Sequence, residues 1–363
     1  MGEGVIPQEI RLRFVLLAAV AALALSVQPA AAQTALTPNI GGRVVTLPGG
    51  GAEFGWPGVY FEGRFTGPSV EVAIDPQEEH LAISIDGQVR TELTEPGAVR
   101  LAFKDLGPGE HVVRVEKLTE SQTGSARFLG FFVGTGGQAL PPKSRPRRIE
   151  FIGDSHTVGY GVRATKRNCT QAEIHDLTDT SLTFGPILAG RLDADYRIVA
   201  FSGRGVVRNY GGAAPGQTLP VLYPRMIPGQ AAPSVDPADP WRPDLIVIGL
   251  GTNDFSTPVA PGEAWADEAA LRADYRTTYA GFVSELAKRQ PQARVLLIAG
   301  DSFAADVEQV AQAVNAEAPG LATPVRITGM DRGACDWHPS IADQKMTADR
   351  LEAAVRAIGN PLP

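Results

Sequence analysis

The sequence predicts two fold classes in series: an all-β sandwich of the jelly-roll kind over residues 33–138, then a three-layer α/β/α domain built on a parallel sheet over residues 149–363. Three observations carry this. The first part holds short alternating apolar runs with no helical stretch between them, as half-buried strands require. In the second part, continuous apolar runs alternate with segments of helical spacing, the texture of parallel strands covered on both faces. Between the two, residues 139–148 are rich in proline and basic side chains and read as a linker.

Taken in order, Arg11 and Arg13 precede an apolar run from Phe14 to Val27 and the small residues Ala30, Ala31 and Ala32. That is the order of a secretory signal over residues 1–32, with cleavage after Ala32. The run is short for a membrane span. A monomeric protein, secreted or periplasmic and without membrane attachment after cleavage, is the expectation. Val59–Phe65, Val70–Ile74, Leu81–Ile85, His111–Val115 and Phe128–Val133 then read as strands, punctuated by Asp86-Gly87 and Gly107-Pro108-Gly109. In the second part the strand-like runs are Ile149–Ile152, Tyr196–Phe201, Leu245–Leu250, Val295–Ala299 and Val325–Ile327. Helical spacing joins Leu271, Tyr275, Phe282 and Leu286, and again Leu351, Val355 and Ile358.

With 44% hydrophobic residues in 363, the chain has material for two cores. A formal charge of -7 argues against a surface that neutralises phosphate backbones, so nucleic acid is not an expected partner. The basic cluster Lys143 to Arg148 reads as solvated linker. His and Cys residues lack metal-ligand spacing and no glycine-rich phosphate fingerprint follows a strand, so no metal or organic cofactor is implied.

Chemistry-bearing residues gather at the expected carboxyl ends of the parallel strands, where such sheets build their sites. Ser155, in Gly153-Asp154-Ser155, would open a helix with its hydroxyl at the positive helix end; a plain helix cap is the other reading. Asn253, in Gly251-Thr252-Asn253-Asp254, offers an amide to an oxyanion, or an Asx turn. His338, in Asp336-Trp337-His338-Pro339, is the candidate base, since a serine hydroxyl is a poor nucleophile until a neighbouring imidazole takes its proton. Trp337 beside it suits a sugar ring or a core. Cys169 and Cys335 are the two cysteines, and form either a bridge between the base loop and the nucleophile side or two separate buried thiols.

Together these blocks, with Ser202-Gly203-Arg204-Gly205 after the second parallel run, resemble the GDSL or SGNH hydrolase superfamily, whose domain is flavodoxin-like. The resemblance implies that Ser155 is the nucleophile and His338 the base. It also implies that the oxyanion is held by the amides of Ser155 and Gly203 (or Gly205) and by the Asn253 side chain. The superfamily's acid stands three residues before the histidine, where this chain has Cys335. Asp336, two before, is the candidate acid, and a main-chain carbonyl is the alternative. An N-terminal jelly roll, Gly-Asp-Ser-His-Thr, Ser-Gly-Arg-Gly and a terminal Trp-His-Pro-Ser are similar to carbohydrate esterase family 2. That similarity implies a serine esterase removing O-acetyl groups from a xylan- or glucomannan-like polysaccharide. The rival readings are an esterase, thioesterase or lipase on small acyl substrates, and an inactive carbohydrate-binding protein.

Overall fold

In the computed structural model residues 1–2 and 34–359 are described. Apart from its first two residues, the leader-like segment 1–32 with its cleavage point after Ala32 lies outside them. Four short strands come first: β1 (Thr34–Ala35), β2 (Asn39–Gly41), β3 (Val45–Thr46) and β4 (Ala52–Phe54). β5 (Tyr60–Thr66), β6 (Val70–Asp75), β7 (Leu81–Ile85), β8 (Gln88–Leu93) and β9 (Val99–Phe103) come next. β10 (Glu110–Lys117), β11 (Ala126–Val133) and β12 (Gln138–Leu140) complete the set.

These strands build two antiparallel sheets, ordered β3-β4-β11-β6-β9 with β1 on β11, and β12-β5-β10-β7-β8 with β2 on β5. Alternation drives the pairing: β5, β7 and β10 turn Phe61, Phe65, Ile83, Ile85, Val113 and Val115 inward, and the residues between them, such as Glu62, Arg64, Ser84, Val112 and Arg114, are less buried. The two inner faces meet directly, with Phe61 of β5 stacked 4.1 Å from Phe128 of β11.

The stretch expected as a linker begins inside a sheet, because β12 pairs Gln138 with Thr66 and Leu140 with Arg64 of β5. Its basic cluster is not simply solvated either. Arg145 reaches Glu62 at 3.1 Å and Asp195 at 3.0 Å, so carboxylates from both halves of the molecule converge on one guanidinium. Lys143, Ser144 and Pro146 of the cluster are exposed, as a solvated linker requires, and Arg145 departs from that expectation by tying the sandwich to the parallel-sheet half.

Beyond Arg145 run β13 (Arg147–Gly153), α1 (Ser155–Val158), α2 (Gln171–Leu177), α3 (Phe184–Arg191), β14 (Ala194–Ala200) and α4 (Leu219–Leu222). Next come β15 (Leu245–Gly249), α5 (Glu268–Arg289), β16 (Arg294–Gly300), α6 (Ala304–Glu317), β17 (Ala322–Ile327) and α7 (Ile341–Ala357). The strands form one parallel sheet ordered β14-β13-β15-β16-β17. Helices cover both faces. Leu245 and Val247 of β15 pack with Leu188 of α3 and Leu351 and Val355 of α7, whereas Ile246 and Ile248 pack with Tyr279 and Val283 of α5 and Val310 of α6. A strand buried on alternate sides in this way has no polar face, which is why its sequence reads as an unbroken apolar run. Among the described residues no helix is long and apolar enough to cross a membrane.

Candidate active site

β13 ends at Gly153, and the chain turns at Asp154 into α1, whose first residue is Ser155. Asp154 caps the helix by accepting from the His156 N–H at 3.0 Å, leaving the Ser155 N–H at the open helix start. Gly153 is there for proximity rather than for an unusual dihedral: a Cβ on it would stand 2.0 Å from Thr157 Oγ1. The turn of α1 therefore lies directly on its own strand, and Ser155 is 6% exposed at the floor of a cleft of about 360 Å³.

His338 meets that serine from the other end of the sequence, with its Nε2 2.9 Å from Ser155 Oγ. Its Nδ1 lies 2.9 Å from the carbonyl oxygen of Cys335, which fixes the tautomer with the proton on Nδ1 and leaves Nε2 as acceptor. Packing around the ring lowers its pKa below the ordinary value, by desolvation first, so the imidazole rests in the neutral form a base needs. Tyr160 stacks on the ring at 4.2 Å between centroids. The His156 ring lies edge-on to that of His338, 5.7 Å between centroids, and desolvation, followed by repulsion from His338, pushes its pKa down to about 3.

Asp336 does not reach the imidazole through its carboxylate, and the candidate acid is corrected. Asp336 has φ 50° and Trp337 φ 58°, two consecutive non-glycine residues in the left-handed region. That backbone turns the Asp336 side chain outward, where it accepts from the Tyr160 hydroxyl at 3.0 Å. The main-chain carbonyl of Cys335 takes the orienting position instead. Such backbone costs about 1–3 kcal/mol per residue and persists only where the surroundings over-determine it. They do so here. Cys335 is bridged to Cys169, with Cα atoms 5.5 Å apart, and the Asp336 N–H donates to Arg167 O at 2.7 Å. The bridge packs against Gly161, where a Cβ would stand 2.7 Å from Cys335 Sγ, so this position too needs glycine.

Asn253 lies on the cleft wall, 5% exposed, and its Nδ2 donates to Arg204 O at 2.9 Å and approaches Asp154 Oδ2 at 3.2 Å. Gly203, at φ 78°, stands beside the cleft and not in its wall. Its N–H has no partner among the described residues, whereas the Gly205 N–H is taken by Asn209 Oδ1 at 3.2 Å. Of the two glycines, only Gly203 keeps a donor to offer. Trp337 is 58% exposed at the mouth of the cleft, so it belongs to no core.

Sequence reasoning missed several supports. Asp254 accepts from the N–H groups of Val206, Val207 and Arg208 at 2.9–3.0 Å and so shapes the loop after Gly203. Desolvation raises its pKa to about 6, and that of buried Asp154 to about 7. Only the repeated polarity of the Gly251–Asp254 block hinted at Asp254, and nothing pointed to Tyr160. Among the described residues no group of three or more His, Cys, Asp or Glu side chains is placed to hold a metal ion.

A hydroxyl against a neutral imidazole at the carboxyl edge of a parallel sheet defines the class: an ester hydrolase of the GDSL kind. Residues 40–142 match the family model described as Carbohydrate esterase 2 N-terminal, and residues 151–358 match the GDSL-like Lipase/Acylhydrolase family. The chain is 40% identical over 323 residues to an acetylxylan esterase / glucomannan deacetylase of Cellvibrio japonicus, covering 86% of this chain and 89% of that one. A solved carbohydrate esterase whose active site is described as having divergent catalytic and non-catalytic binding functions superposes with TM-score 0.84 at 36% identity, over 89% of this chain and 98% of that one. A family two carbohydrate esterase from Clostridium thermocellum, solved with cellohexaose, gives 0.78 at 28% over 90% and 100%. The chain belongs to carbohydrate esterase family 2, within the GDSL-like hydrolases.

Proposed function

We propose that this enzyme removes O-acetyl groups from a plant cell-wall polysaccharide of the xylan or glucomannan type through a covalent acetyl-enzyme. The observation that carries the reading is the contact of 2.9 Å between Ser155 Oγ and His338 Nε2, with the imidazole's other nitrogen already held by a carbonyl. His338 takes the Ser155 proton as Oγ attacks the ester carbonyl, and the negative oxygen settles among the N–H groups of Ser155 and Gly203 and the Asn253 amide. The protonated His338 then gives its proton to the departing sugar hydroxyl. Water, deprotonated by the same imidazole, releases acetate and restores the serine.

The acetylated sugar comes from the relatives' activities and is supported by the exposed Trp337 at the cleft mouth, where an indole face suits a sugar ring. The strand orders β4-β11-β6-β9 and β5-β10-β7-β8 support reading the N-terminal sandwich as a jelly roll. Export, which the first 32 residues support, suits both the disulfide and a polymer outside the cell. Acetate release from acetylated xylan and glucomannan, measured against hydrolysis of an octanoyl ester, tests the substrate class. The polysaccharides should be preferred, and faster cleavage of the octanoyl ester would sink the reading.

Because a carbonyl, not Asp336, orients the base, D336A should lower kcat by less than about tenfold, whereas removing a true triad aspartate costs about 10⁴-fold. Steady-state kinetics on an aryl acetate separate the two outcomes. A loss near the larger figure would restore Asp336 as the acid.

A further inference from the structure

The Ser202–Gly203 peptide has an unusual problem. Gly203 has no side chain to anchor the peptide, and a Cβ added there would have nothing within 4 Å to pack on. Its aim must come from hydrogen bonds on either side. Downstream these are present: Gly203 O accepts from the Tyr210 N–H at 2.9 Å, and Arg204 O accepts from Asn253. Upstream, the Arg204 N–H donates to Phe201 O at 3.2 Å and closes the turn around the peptide, and a side-chain hold is added from the other half of the molecule. Ser202 Oγ donates to Glu120 Oε1 at 2.8 Å, and Glu120 sits just past the end of sandwich strand β10, 4% exposed.

We propose that Glu120 is a positioning residue for hydrolysis: by clamping Ser202 it sets the Gly203 N–H toward the developing oxyanion, so the sandwich takes part in the chemistry. This rests on the acyl-enzyme reading above. The clamp is rigidly based. Lys117 and Glu79 form a fully buried ion pair at 2.8 Å, and the Lys117 ammonium also donates to the main-chain oxygen of Glu120 at 2.8 Å. Next along, Ser121 Oγ donates to Ala200 O at 2.6 Å, fastening the same turn to the end of β14. A buried carboxyl beside a small hydroxyl, with this much scaffolding and no other assigned task, is an expensive arrangement for mere adhesion between domains. Desolvation raises its pKa to about 7, and the Ser202 hydrogen bond is what opposes that rise first.

The test uses the full chain and an aryl acetate. An inactive wild-type enzyme would refute the hydrolase reading and this one with it. In an active enzyme, E120A and S202A should each lower kcat by about 10- to 100-fold with KM within about twofold, because an oxyanion contact is made only in the transition state. The double variant E120A/S202A should be no slower than the slower single, the mark of two groups acting through one contact. E120Q, which keeps an acceptor for Ser202, should recover most of the rate. Wild-type kcat in S202A, losses confined to KM, or a double variant equal to the product of the singles would each overturn the proposal. If E120A fails to fold, S202A and E120Q decide it by the same criteria.

Discussion

S155A is expected to lower kcat by about 10⁴-fold or more, a barrier increase of at least about 5.5 kcal/mol. The size reflects the groups removed. Without Oγ there is no atom to carry the acyl group, and His338 loses the proton it is placed to take. The pocket of donors remains and leaves only the residual catalysis that binding and oxyanion stabilisation give by themselves. H338A should match it, and the two losses should not add, because each group is idle without the other. The fold should be indifferent, since the side-chain hydrogen bond of Ser155 is the one to His338. Initial rates with an aryl acetate, together with melting curves and affinity for an unacetylated glycan, check this. A variant retaining a tenth of the wild-type rate would dismiss Ser155 as the nucleophile.

N253A is expected to lower kcat by about 100- to 1,000-fold, the usual cost of losing one oxyanion donor. The amide donates to Arg204 O at 2.9 Å and approaches Asp154 Oδ2 at 3.2 Å, which holds it in the cleft wall. Because the interaction gained belongs to the transition state, KM should move little. If instead KM rose and kcat held, Asn253 would be a ground-state binding residue and the pocket would need another donor.

Most of the fold was legible because burial writes itself into sequence. β15, enclosed on both faces, is Leu245 to Gly249 with no polar residue, and β7 alternates as an inward-facing sandwich strand must. β8 escaped: Gln88 to Leu93 presents mainly exposed side chains at the edge of its sheet, so no apolar period marks it. On α5 the spacing suggested Phe282, yet the structure buries Tyr279 and Val283 and leaves Phe282 partly covered against Tyr223. In the site, Ser155, Asn253 and His338 could be picked out because their chemistry sits at strand exits or near the chain's end. Asp336 could not be judged, since the sign of two φ angles decides where its carboxylate points. Glu120 was invisible because its partner is Ser202, in a different half of the chain.

The carbonyl that steadies the imidazole has one more implication. A main-chain oxygen gains no proton as acidity rises and cannot be exchanged for another side chain by a point mutation. The alignment of the imidazole is thus tied to the shape of the turn and to the sulfur clasp that keeps it, and not to the ionisation of any carboxylate.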